Sequence, residues 1–153
     1  MINIREITEQ DLAAVSAICI DAFITSVAGS LSAEGITTFT NIAACTAFQR
    51  RMAEDNLLLV AEYDGKVAGV VELKQGRHVA MLFVAPAWQK NGIGKQLLAA
   101  VLPNARVDMV TVKASLSSVP AYQKYGFECK GDIAEFAGLV YLPMEIDVKN
   151  RRL

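Results

Sequence analysis

The chain is short of most of the features that would send it outside an ordinary soluble fold. Its three cysteines, Cys19, Cys45 and Cys129, are odd in number, widely spaced and free of any Cys-x-x-Cys pair. Neither a disulfide framework nor a zinc site can be built on that pattern, and buried free thiols in a reducing compartment are expected. No apolar run approaches the ~18 residues that span a bilayer. Arg5 and Glu6 interrupt the first residues at once, as no signal peptide allows, so a cytoplasmic protein without membrane contact is expected. An excess of either charge is missing too: 15 basic residues face 16 acidic ones, which leaves no footprint for nucleic acid. Lys149-Asn150-Arg151-Arg152 is locally basic, but too short for a binding arm, and reads as a solvated terminus.

What is present is apolar. Across 153 residues, 53% are hydrophobic, enough for one domain, residues 1–153, with a real core. Ile2 to Ile7 alternates as a half-buried strand does, and Thr8 opens an acidic first turn. Leu12, Val15, Ile18, Cys19 and Ala22 follow at helical spacing, and small residues break the pattern around Val27 to Ser32. A second helix is expected over Ala33 to Ala53. The period then changes. Leu57 to Tyr63 and Lys66 to Lys74 read as strands joined by Asp64-Gly65, a strong hairpin signal. Gln75-Gly76 leads to a third strand, Arg77 to Val84, whose apolar run predicts a central strand covered on both faces. Beyond Pro86, a helix over Gly92 to Leu102, a strand over Val107 to Lys113, a short helix over Ser117 to Tyr125 and strands near Phe127 to Lys130 and Leu139 to Val148 are expected. The pattern is a mixed sheet with helices on both faces.

The chemistry concentrates between Leu82 and Lys95. A buried strand ends, the chain turns, and Gly92 and Gly94 open an amphipathic helix. Glycine lets a ligand approach the backbone, and a helix N-terminus presents unpaired N–H groups at the positive end of its dipole. With Lys90 and Lys95 nearby, the segment proposes a phosphate or pyrophosphate cradle. A Walker loop would need glycine at Gln89 and Ser or Thr at Gln96, and a dinucleotide fingerprint would need glycine at Leu97. Both fail.

The stretch Gln89-Lys90-Asn91-Gly92-Ile93-Gly94 resembles the Gln/Arg-x-x-Gly-x-Gly/Ala hallmark of the GNAT superfamily of N-acetyltransferases. Downstream, Tyr122-Gln-Lys-Tyr125-Gly126-Phe127 is similar to that family's helix ending in Tyr-x-x-x-Gly-Phe, and Tyr141 to Glu145 to a terminal strand of some members. The resemblance runs from about Leu57 to the C-terminus. It implies an α+β fold, an α/β/α sandwich on a mixed, mostly antiparallel sheet of about seven strands. It also implies that acetyl-coenzyme A is the acyl donor, with no metal. Its pyrophosphate would lie on backbone amides from Gln89 through Lys90, Asn91, Gly92, Ile93 and Gly94 to Lys95, and its pantetheine arm along Phe83 and Val84. Ser115 stands where the family often has Asn, which puts that side chain's contact with the cofactor arm in question.

In the implied reaction an amine attacks the thioester directly. An alkyl amine of pKa ~10.4 must first lose a proton, and the leaving thiolate gains from a proton donor. Tyr122 matches the family's proton donor; otherwise it is a helix tyrosine in the core. For the base there are two candidates, Glu72 and His78. Across a Gln75-Gly76 turn Glu72 falls opposite Val79, near the central strand, or else is a solvated edge charge. His78 is the one histidine and has a suitable pKa, although a histidine before an apolar strand is often structural. Two further readings compete: a cysteine enzyme pairing Cys45 or Cys129 with His78, and a non-catalytic acyl-coenzyme A sensor. The acceptor, a small-molecule or peptide amine, would bind between Phe23 to Phe48 and Asp132 to Gly138, where charges are few. A homodimer is compatible with the apolar composition.

Overall fold

The structure is a computed structural model and describes residues 1–26 and 31–150. Most of the expected break at Val27 to Ser32 and the end of the basic tail, Arg151-Arg152, lie outside the described residues.

The N-terminal strand β1 (Asn3–Glu6) leads through a 3-10 turn into helix α1 (Leu12–Ser26). Asp11 fixes that turn by accepting from the Thr8 amide at 2.7 Å and from the Arg5 guanidinium at 2.8 and 2.9 Å. The helix expected over Ala33 to Ala53 is two helices, α2 (Ala33–Ile42) and α3 (Cys45–Met52). Ala44 breaks them apart by taking an extended conformation, φ −64° and ψ 148°. Helical periodicity carries straight through such a corner, because one extended residue leaves no mark on the pattern of apolar positions.

Strands β2 (Asn56–Tyr63) and β3 (Lys66–Lys74) form the expected hairpin, with Asp64 at φ 52° and Gly65 at φ 77°. Strand β4 (His78–Val84) follows, but its register differs from the expected one. Lys74 pairs with His78, so the connection is one residue longer, and Ala80 bulges between Val79, opposite Leu73, and Met81, opposite Glu72. Glu72 therefore faces Met81, not Val79. After β4 come α4 (Ile93–Val101), β5 (Met109–Ser115), α5 (Val119–Tyr125) and β6 (Glu128–Cys129). A strand that was not expected, β7 (Ala134–Phe136), pairs with the last, β8 (Leu139–Asp147).

Among the described residues eight strands run β1-β2-β3-β4-β5-β8-β6 across the sheet, with β7 also on β8, and every pairing there is antiparallel except β4 with β5. On one face, Ile93, Leu97, Leu98 and Val101 of α4 and Tyr122 of α5 pack on Leu59, Val71, Val79, Val112 and Met144. On the other, Val15, Cys19, Phe23, Phe39 and Phe48 from α1 to α3 cover Leu58, Val60, Val70 and Met81. Each fully buried leucine of this kind contributes roughly 1.5–3 kcal/mol.

The expectation for β4 fails over its second half. Val79 and Met81 are buried, but Ala80 is exposed and Leu82, Phe83 and Val84 are half-buried. The parallel ladder with β5 has only two pairs, His78 with Thr111 and Val79 with Val112, and ends there. The bulge at Ala80 coincides with the end of that ladder. The remaining length of β4 stays paired with β3 on one side and borders an opening in the sheet on the β5 side.

Candidate active site

At the end of β4 the Ala85 amide donates to the Ala68 carbonyl at 2.8 Å, and a 3-10 turn over Pro86–Trp88 sets the Trp88 ring 4.9 Å from that of Tyr63. The side chains of the next residues brace the loop from within. Gln89 donates its amide N–H to the Val84 carbonyl at 3.1 Å, and Asn91 donates to the Trp88 carbonyl at 3.1 Å. Lys90 takes φ 67°, unusual for a residue with a Cβ. Gly92 then caps α4 at φ 78° and ψ 9° with no side-chain cap, and the helical ladder opens with the Gln96 amide on the Gly92 carbonyl. The amides of Ile93, Gly94 and Lys95 come before that first bond, at the positive end of the helix. A Cβ on Gly92 would meet nothing within 4 Å, so the cradle is open where an anion would enter. The residues present fit a pyrophosphate.

Gly94 is different from Gly92. It is buried, and a Cβ there would come within 2.5 Å of the Tyr125 hydroxyl. Its missing side chain is what lets the end of α5 close against the start of α4. Tyr125 thus joins the two helices, and nothing in the spacing of the two motifs along the chain announced the contact.

Tyr122, one turn earlier on α5, is 7% exposed, with its ring edge-on to Phe127 at 5.2 Å and to Tyr125 at 6.1 Å. Burial pushes its hydroxyl above the ordinary phenol range, so it carries its proton at neutral pH. Ser115 binds the Ser118 hydroxyl at 2.9 Å, and Ser118 donates to the Ser115 carbonyl at 2.8 Å, which ties β5 to the approach of α5.

The two candidate bases each have a partner of their own. Glu72 is not a solvated edge charge: it is 0% exposed, and Arg51 Nε donates to its two oxygens at 2.9 and 3.1 Å. Burial pushes its carboxyl up and the Arg51 guanidinium opposes that shift. His78 lies at the far end of β4 from the loop, with Nδ1 2.7 Å from the Thr111 hydroxyl. Burial, then Lys113, Arg77, Lys74 and Lys130, pull its pKa down to about 4. The cysteines do not match the expected buried thiols as a group. Cys19 is buried and pushed up to about 12 by that burial, whereas Cys45 and Cys129 are exposed, with their thiols on the Leu12 and Gly131 carbonyls respectively, while His78 is on Thr111.

Opposite α4 and α5, helix α2 frames the other side of the opening. The Phe39 ring stacks on Phe23 at 4.1 Å and meets Phe83 edge-on at 5.3 Å, on the half-exposed stretch of β4. The backbone of α2 at Gly35 touches the β7–β8 turn at Gly138 so closely that neither position admits a Cβ, and Thr38 donates to the Ala137 carbonyl at 2.7 Å. A separate cavity of about 240 Å³, lined by Asp55, Leu57, Gly76 and Arg106 among others, sits at the opposite end of the strands, away from these groups. Among the described residues no cluster of three or more metal-ligating side chains occurs, and no helix is long and apolar enough to cross a membrane.

Comparison with known proteins agrees with this fold. A curated relative, peptidyl-lysine N-acetyltransferase YiaC of Escherichia coli, is 38% identical over 69 residues, 44% of this chain. The match spans 47% of that relative's length, about half. Among solved structures, a GCN5-related N-acetyltransferase from Rhodopseudomonas palustris superposes with a TM-score of 0.82 at 22% identity, over 95% of this chain and 94% of that one. PaiA N-acetyltransferase from Thermoplasma acidophilum, solved in complex with coenzyme A, gives 0.77 at 22% identity over 96% and 99%. At such identity these two likenesses speak to the fold. The profile of the acetyltransferase (GNAT) domain matches residues 27–148, most of the chain, and the protein belongs to that family.

Proposed function

We propose that the chain transfers the acetyl group of acetyl-coenzyme A to an amine, and that the acceptor enters on the α2 side of the opening between β4 and β5. The observation that carries this reading is the placement of a helix N-terminus with open amides at the end of a strand that is paired with β3 on one side and has lost its β5 partner on the other. The amides of Ile93, Gly94 and Lys95, with Gly92 clearing the way, hold the pyrophosphate, and Lys90 and Lys95 add charge. The edge of Phe83 and Val84 that faces away from β3, beyond the β5 ladder, takes the pantetheine arm. Bound there, acetyl-coenzyme A supplies an activated thioester.

The protein's own groups then have two tasks. Backbone N–H groups freed along β4 beyond the Ala80 bulge stabilise negative charge on the acyl oxygen. Tyr122, fully protonated at neutral pH, donates its proton to the departing sulfur. Because Glu72 is bound by Arg51 and His78 stands at the wrong end of β4, we assign the acceptor's proton to water in the opening and not to either side chain. YiaC, as a peptidyl-lysine N-acetyltransferase, makes a lysine side chain the first acceptor to try.

The test is release of free coenzyme A from acetyl-coenzyme A across a panel of a lysine peptide, a peptide α-amine and spermidine, with wild type and Tyr122→Phe. Wild type should acetylate one class of amine, and Tyr122→Phe should lose roughly 10²-fold in kcat while its affinity for coenzyme A stays near wild type. Tight binding with no turnover on any amine would make the protein a sensor and sink the proposal. Full activity of Tyr122→Phe would remove only the acid.

A further inference from the structure

Arg51 has no part in the mechanism above, yet its buried contacts are unusual. It lies on α3, and its single guanidinium reaches two other elements. Nε donates to both oxygens of Glu72 on β3, and Nη1 donates to the Ile42 carbonyl, at the last turn of α2, at 2.9 Å. The guanidinium carbon lies 4.6 Å from the centre of the Phe48 ring. Nη2 is sealed from solvent and is the one buried side-chain polar atom without a partner among the described residues. A charge pair taken out of water and left with an unpaired donor is a poor way to stabilise a core; apolar side chains of similar volume would serve as well or better. The arrangement therefore asks for a reason other than stability.

Geometry supplies one. Glu72 pairs with Met81, immediately beside the Ala80 bulge, where the ladder between β4 and β5 has just ended. Ile42 ends the helix whose Phe39 touches Phe83 on the open stretch of β4, and whose Gly35 and Thr38 touch the β7–β8 turn. The guanidinium thus spans the gap from the bulge to the acceptor-side helix, and it works at the corner where Ala44 interrupts the helical ladder. Lysine would not reproduce it, because its three donors share one nitrogen, whereas arginine serves Glu72 from Nε and Ile42 from Nη1 in a fixed fork.

We propose that Arg51 and Glu72 are positioning residues: their buried ion pair holds α2 at a set distance from the bulged β4 backbone and so shapes the acceptor side of the site. The inference rests on the acetyl-transfer reading for its kinetic consequence, though not for its structural one. Neither residue need touch either substrate.

The experiment uses the full chain in four forms: wild type, Glu72→Gln, Arg51→Lys and the double variant Arg51→Met with Glu72→Met. The double variant leaves no uncompensated charge in the core and so guards against simple unfolding. Two readouts are taken. Amide hydrogen exchange over residues 36–42 and 136–139 needs no turnover, and it should speed up roughly tenfold in Arg51→Lys and in the double variant as α2 comes free. With a lysine peptide as acceptor, KM should rise about tenfold in the same two proteins, while the Kd of coenzyme A stays within about twofold and the pH–rate profile keeps its shape. Wild-type exchange and KM in the double variant would show that the pair merely fills space, and would overturn the proposal. Loss of kcat in Glu72→Gln, with the acidic limb flattened and KM unchanged, would make Glu72 the base and overturn it equally. If wild type acetylates no amine, the acetyl-transfer reading falls while the exchange data still decide the role of the pair.

Discussion

Gly94 offers the sharpest perturbation, because two opposing effects act on one atom. The position lies inside α4 (Ile93–Val101), and a Cβ added there would come within 2.5 Å of the Tyr125 hydroxyl oxygen, 3.4 Å of Cζ and 3.9 Å of Cε2. Gly94→Ala should gain up to about 1 kcal/mol in helix propensity. Against that, an oxygen well inside van der Waals range must move, and overpacking of this kind costs typically 1–3 kcal/mol. The single variant should therefore lose between about 0 and 2 kcal/mol, net of the two terms. Tyr125→Phe removes the oxygen and leaves ring carbons at 3.4 Å and beyond, which is ordinary contact. In that background Gly94→Ala should recover its propensity gain and become neutral or stabilising. The cycle of four proteins, followed by urea unfolding, should give a coupling of about 1–3 kcal/mol, the range for residues in direct contact. Calorimetry with coenzyme A should show the same pattern, with affinity weakened in Gly94→Ala and restored in the double variant as the first turn of α4 returns to place. Effects that add within about 0.5 kcal/mol would refute the argument, since they would mean that Gly94 and Tyr125 do not share that space.

Two other outcomes are expected. Gly92→Glu places its side chain where nothing lies within 4 Å, so it should fold with only the roughly 1–2 kcal/mol cost of a left-handed residue, yet the added negative charge should lower coenzyme A affinity at least tenfold by calorimetry; unchanged affinity would move the pyrophosphate elsewhere. His78, with its pKa drawn down to about 4 from an ordinary value near 6.5, is neutral in the folded protein where the unfolded chain is protonated. Its contribution to stability is thus fully present above about pH 6.5 and is lost as pH falls from there to about 4. His78→Gln should flatten that part of the stability–pH curve, and an NMR titration of the ring with a midpoint near 6.5 would refute the reasoning.

Legibility of the sequence followed the range of the interaction involved. The β2–β3 hairpin was readable because Asp64 and Gly65 settle their own turn, and the cradle because Gly92 acts through its own backbone conformation. Partnerships made across the chain left no such trace. Arg51 and Glu72 are 21 residues apart, and Thr38 meets the Ala137 carbonyl across 99. Strand β4 shows the limit from the other side. An apolar run says that side chains avoid water, and the usual way to satisfy it is a neighbour on each face and each edge. Here the run from Leu82 to Val84 is only half-buried, because the bulge at Ala80 and the short ladder with β5 leave one edge open. Local pattern cannot separate an apolar strand that is covered from one whose edge is kept free for a ligand. The separation lies in register, and register is set by one extra residue, Ala80, that is apolar like its neighbours.

The same step explains why the site stands where it does. A strand edge with no partner is a liability in a folded domain, because its N–H and C=O groups invite another chain. In this protein that edge is short, sits inside the sheet instead of at its rim, and is flanked by α4 and α5 on one face and α2 on the other. Such an edge is reachable by an extended, thin ligand and closed to a second protein strand. A pantetheine arm, with amide groups spaced along a flexible chain, meets that description and can use the freed backbone as a strand would. On the proposed reading, the glycine-opened helix at the end of the same strand would take the charged end of the molecule. Cradle and edge are consecutive in sequence, so a single segment from Ala80 to Lys95 governs both, and a change in the bulge should weaken coenzyme A binding without touching the loop.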